Sequence, residues 1–155
     1  MTLLLDPYQL KYHLNLHWLD LNIELPLMIL CDEPYNDDGF SGTYIRPMND
    51  RLIINNGKER YPMNRGIILI YPINKEYFYS NIAHEYRHHW QYLNGWKYDG
   101  RARQSIMYLK NGDIKKFVEE YYLKSKSELD ALMFQHGMYP TKDSQKIIEI
   151  INRNE

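Results

Sequence analysis

Positions 84 to 88 read His84-Glu85-Tyr86-Arg87-His88, an HExxH pattern inside a helical stretch that Asn74 can cap and Gly95 can end. An α-helix turns about 100° per residue, so His84 and His88 differ by about 40° and stand one turn apart on one face, where two imidazoles can bind one cation. Glu85 lies about 60° from His88. It is beside that cation without having to ligate it, the position of a base for cation-activated water. At this chain's own frequencies of His and Glu, chance supplies the pattern roughly 0.015 times, so its occurrence within a helix is informative. Gln91 returns to the same face. His89, about 140° round from His84, is excluded from the ion and is assigned to hydrogen bonding behind the site or at the surface. Ala83, Tyr86 and Trp90 share the other side and should anchor the helix in the core.

Two histidines do not complete a zinc site, because catalytic zinc usually keeps three protein ligands and one open position. The best third donor is Glu128. On a helix it shares a face with Ala131, Leu132 and Gln135, and small Ala131 permits another helix to approach. Asp130 points about 200° away from Glu128; it, His136 or a loop residue are the alternatives. A hydrolytic site also needs a donor for developing oxyanion charge, for which Tyr139, His136 and the Tyr98-Asp99 stretch are candidates.

The rest of the chain reads as α+β. Asp6-Pro7 starts a helix expected to run to about residue 21, with Leu10, Leu14, Trp18 and Leu21 at helical spacing. About four short strands follow, Leu27 to Cys31, Thr43 to Arg46, Leu52 to Asn55 and Gly66 to Tyr71. Asn36-Asp37-Asp38-Gly39, Asn49-Asp50 and Asn55-Asn56-Gly57 supply the turns between them. After the active-site helix come a helix over 101–110, a helical region from Asp113 to His136-Gly137 that can break at Lys124-Ser125-Lys126-Ser127, and a last helix from Thr141.

With 155 residues, 44% of them hydrophobic, and the single Cys31, the chain is expected to form one domain over residues 1–155 without a disulfide. A net charge of −1 argues against nucleic-acid binding as the main task. The N-terminus has no positively charged leader and no apolar run approaches the ~18 residues of a membrane span. A cytoplasmic protein without membrane or nucleic-acid partners is expected.

Taken together, the motifs resemble those of the minimal gluzincin-type zinc metallopeptidase domains, found among small phage and bacterial proteins. Their signature is HExxH, often HExxHxxQ, followed downstream by Glu in an E-x-[ED]-A setting. Here those elements are His84-Glu85-Tyr86-Arg87-His88-His89-Trp90-Gln91 and Glu128-Leu129-Asp130-Ala131, and the resemblance covers roughly residues 64–137. Where several such families carry Asp four positions after the Glu, this chain has Leu132. The resemblance implies a zincin-like fold, with an N-terminal helix and small twisted sheet before the active-site helix. It also implies Zn2+ held by His84, His88 and Glu128, Glu85 as general base, and a protein or peptide substrate. In the family an extended substrate pairs with a sheet edge, and Gly66 to Tyr71 is a candidate edge. The alternative is a non-catalytic zinc-stabilised interaction module, such as a phage-associated assembly or regulatory factor, and a metal-free assembly factor is a third reading.

Overall fold

The computed structural model describes residues 2–32, 41–71 and 75–153. Contacts gather the chain into two compact units; of the described residues, those up to Tyr71 belong to the first and those from Lys75 onward to the second. The class is mixed α+β, with a small four-stranded sheet in the first unit and the helix that carries His84 and His88 in the second.

The first unit begins with strand β1 (Leu3–Leu5) and helix α1 (Pro7–His13). Asp6 caps α1 by accepting the Tyr8 amide at 2.9 Å, and Pro7 pre-sets the first turn. The helix is shorter than its apolar spacing suggests. Asn15 takes φ 58°, and the Leu16 amide reaches back to the Lys11 carbonyl at 3.1 Å, the closing bond of a left-handed C-terminal cap. Beyond that cap Leu16 and Leu19 are buried, while Leu14 stays exposed.

Strands β2 (Leu27–Leu30), β3 (Gly42–Ile45) and β6 (Ile67–Ile70) join β1 in a sheet of order β1-β2-β6-β3. β2 and β6 are parallel, and the two outer pairings are antiparallel. β6 is therefore central and cannot be a sheet edge; the edges are β1 and β3. The reason is legible in Ile67-Ile68-Leu69-Ile70, whose uninterrupted apolar run is that of a strand covered on both faces. Strands β4 (Arg51–Ile54) and β5 (Glu59–Pro62) form a separate hairpin around Asn55, Asn56 and Gly57, all at positive φ. The expected turn at Asn36 to Gly39 lies outside the described residues.

The second unit is helical. Helix α2 spans Lys75–Leu93; the Asn74 cap lies outside the described residues. Its end is the expected one. Gly95 takes φ 79°, its amide donates to Tyr92 at 3.1 Å, and the Trp96 amide donates to Gln91 at 2.9 Å, a paired cap that needs a left-handed residue. Helices α3 (Ala102–Lys110) and α4 (Ile114–Val118) follow, and α4 passes directly into a π-helical turn over Glu119–Leu123. Helix α5 (Lys126–Met138) starts at Ser125, and α6 (Lys142–Arg153) starts at the Thr141–Ser144 cap. Phe117, Val118, Tyr121, Tyr122, Leu132, Ile150 and Ile151 form this unit's core. α2 packs most extensively on α5, where Ala131 is fully buried, as close approach of the two helices requires. No described helix is long and apolar enough to cross a membrane.

Candidate metal centre

Ser125 sets the position of the third candidate ligand. Its side chain accepts the Glu128 amide at 3.1 Å, the first half of a Ser-x-x-Glu capping box. In the usual box the Glu turns back to the cap. Here the Glu128 carboxylate turns inward and is 1% exposed, with Oε1 in contact with His88 Nε2 and Oε2 at 3.7 Å from His84 Nε2. Candidate ligand atoms of His84, His88 and Glu128 all lie within 4.8 Å of one another. Among the described residues this is the one group of His, Cys, Asp and Glu with that geometry.

Both imidazoles present Nε2 inward because Nδ1 is occupied. His84 Nδ1 meets Gln135 Oε1 at 2.5 Å, and His88 Nδ1 meets Gln91 Oε1 at 3.0 Å. The Gln91 orientation is fixed from behind, since its amide nitrogen donates to the Ser127 carbonyl and to Asp130 Oδ2, each at 2.9 Å. An amide oxygen facing Nδ1 keeps a proton there, so that Nε2 is the nitrogen offered to an ion. Asp130 does not join the triad. It forms a two-bond ion pair with Arg87 at 2.7 and 3.2 Å, and Arg87 lies over the Trp90 ring.

No family model matches the chain, and no curated protein or solved structure is significantly similar to it. What the centre can do is read from its own atoms.

Glu128 Oε2 is buried without a hydrogen-bond partner. An orphaned carboxylate oxygen is costly, and it faces the space that two Nε2 lone pairs also face. Two imidazoles and a carboxylate are a donor set suited to zinc among several divalent ions, so the residues present fit a metal ion. Electrostatics agree. Burial alone would lower the His88 pKa, but the charge and hydrogen bond of Glu128, then Glu85 and Gln91, outweigh it and raise the value to about 9. Glu128 is correspondingly held well below the carboxylate range: burial opposes its charge, and His88 and His84 more than compensate. In the metal-free state a proton shared by His88 and Glu128 thus stands in for a cation.

Glu85 is 8% exposed, and its charge acts on His88, Tyr98 and Tyr122. His89 is fully buried, which excludes the surface role. His136 is used elsewhere, with Nδ1 at 2.7 Å from Ser144 Oγ at the start of α6. Tyr139 ends α5 and lies at 5.6 Å from the Tyr79 ring. Of the candidate oxyanion donors, Tyr98 has the ring contact with His88, edge-on at 5.6 Å. Its phenol is held above its ordinary range by partial removal from water and by the charges of Glu128, Glu85 and Asp99, so it stays a donor.

Three contributors lie outside the sequence expectations. Tyr121, on the π turn, hydrogen-bonds Glu128. Gln135 supports His84, and its signal was available: it follows Glu128 by seven positions, as Gln91 follows His84. The Ser125-x-x-Glu128 box was also available as a helix-start pattern.

Proposed function

We propose that the protein is a zinc-dependent peptidase in which His84, His88 and Glu128 hold the ion and Glu85 is the general base. The observation that carries this reading is a fourth buried titratable group, Glu85, whose charge reaches His88 although Glu85 is not one of the three ligating residues. A centre built only to staple helices has no use for it. Bound there, zinc would supply Lewis acidity, polarising a carbonyl and lowering the pKa of a water toward ~7. The chain's own residues do the rest. Gln135 and Gln91 keep the imidazoles oriented, and the Glu85 carboxylate takes a proton from the attacking water and returns it to the leaving amine. A protein or peptide is the substrate class.

A second reading has its own observation. His88 and Glu128 are only 6% and 1% exposed, which favours a structural ion joining α2 to α5 with negligible turnover. Glu85→Gln separates the two. Under the peptidase reading the variant keeps zinc and loses cleavage of a peptide library. Wild type as inert as the variant across that library, both with zinc bound, would establish the structural reading instead.

A further inference from the structure

The segment between α2 and α3 is tied to the centre by two features that ligation does not require. The first is Asp99. Its carboxylate accepts the Lys126 amide at 2.9 Å, the Ser127 amide at 3.1 Å and the Ser125 hydroxyl at 2.8 Å, all at the start of the helix that carries Glu128. Free backbone amides of a first turn are satisfied by a side chain 27 and 28 residues earlier. The second is Gly100. A Cβ at this position would lie 1.9 Å from the Tyr98 hydroxyl oxygen, 2.1 Å from Cζ and 2.4 Å from Cε2. Gly100 does not adopt a left-handed φ, so the backbone conformation does not call for glycine. Space does: the phenol ring occupies the volume a side chain would fill.

The ring so placed meets the His88 imidazole edge-on, with the planes at 77°. Tyr98 itself is 60% exposed, whereas the His88 side chain beneath it is 6% exposed. Tyr98 therefore rests against His88 with most of its own surface in solvent, anchored at its neighbours Asp99 and Gly100 rather than by burial of its own ring. A large exposed side chain with a fixed base can swing without unfolding the unit.

We propose that Tyr98 is the gate on the His88 side of the metal centre, seated by Gly100 and Asp99, and that ions reach or leave the triad when its ring moves aside. The inference rests on metal binding at the triad, not on hydrolysis. Displacing the gate should speed passage in both directions. Uptake and release then rise together while the dissociation constant changes little. A ring that merely stabilised the bound ion would, on removal, raise release alone.

The test uses the full chain loaded with zinc. Release to a chromophoric chelator and uptake of free zinc are followed by stopped flow, and helix content of each variant is checked by circular dichroism. In Gly100→Ala and in Tyr98→Ala both rates should rise on the order of tenfold, equivalent to about 1.4 kcal/mol. The double variant should be no faster than the singles, and Tyr98→Phe, which keeps the ring, should exchange like wild type. If Gly100→Ala does not fold, Tyr98→Ala carries the test. Wild-type exchange rates in the folded variants, or faster release with unchanged uptake, would overturn the gate while leaving the metal centre intact. A wild-type chain that binds no zinc would overturn both.

Discussion

Ile67, Ile68, Leu69 and Ile70 of β6 and His84, Glu85, His88 and His89 of α2 are all buried, yet the first four gain by leaving water and the second four do not. An aliphatic side chain contributes roughly 1.5–3 kcal/mol on burial. A polar group withdrawn without a partner costs roughly 2–7 kcal/mol. The sheet is thus stabilised by what it excludes, and the α2–α5 pair by the partners it supplies: Gln91, Gln135 and Tyr121 satisfy part of the demand, and Glu128 Oε2 is left unsatisfied. One unit is thus complete as an apolar core, while the other contains a place that a cation would stabilise.

The largest effect should come from supplying that cation. Zinc at about a thousand times its dissociation constant adds about 4 kcal/mol to stability through mass action, and a chelator should reverse the gain. Glu128→Ala should erase it, read as a melting temperature that no longer responds to zinc. An equal zinc-dependent rise in wild type and variant would break the link between Glu128 and the ion.

A truncation in the sheet should cost nearly as much and do nothing to the metal. Leu69→Ala opens a cavity in the core around Ile29, Leu52, Met63, Ile67 and Tyr71, at a cost of about 3 kcal/mol. None of the triad's residues belongs to that core, so zinc affinity should match wild type. Denaturant unfolding and competitive zinc titration on the same sample check both halves. A large fall in affinity would mean that the contrast between the two regions is not a separation of roles.

The two regions should also differ in pH response. His88 is raised from 6.5 to about 9. In the metal-free protein its contribution is fully present below the unfolded value near 6.5 and is lost as pH rises through about 9. Zinc must displace that proton. Its affinity should therefore climb with pH up to about 9, with close to one proton released per ion. Calorimetry in buffers of different ionisation enthalpy counts that proton, and a count of zero between pH 7 and 8 would remove the His88–Glu128 proton from the picture.

How far the sequence foretold these regions follows the same division. β6 is recognisable as a strand, and its unbroken apolar run encodes its central place, which rules out the edge expected there. α2 was legible because a ligand pair, a flanking Glu and a C-terminal Gly each have their own periodicity or position. Glu128 was reachable by helix register within α5. Tyr121 was not: no helical period carries across the break at Lys124 and Ser125, and the π turn shifts register just before it. The apolar spacing of Leu14 and Trp18 suggests a longer N-terminal helix than forms, because Asn15, with its left-handed tendency, ends it.

The smallest effect tests whether the α5 start is held by local or distant groups. Ser125 caps α5 and accepts the Glu128 amide, while Asp99 accepts the two preceding amides, those of Lys126 and Ser127. Hydrogen bonds to Ser127, Ser125 and Lys126 keep the Asp99 carboxyl below its usual range against a partial burial that acts the other way. Asp99→Ala removes the distant acceptor and leaves the local cap, which should cost about 1 kcal/mol in thermal unfolding of the metal-free protein. Because Glu128 belongs to that same first turn, zinc affinity should fall with it, whereas Leu69→Ala moves stability alone. Asp99→Asn keeps one acceptor oxygen and should lie between wild type and Asp99→Ala in both measurements. If Asp99→Ala lowers stability and leaves zinc affinity at the wild-type value, Ser125 alone holds Glu128 in place, and the helical region would then carry its metal geometry as locally as β6 carries its packing.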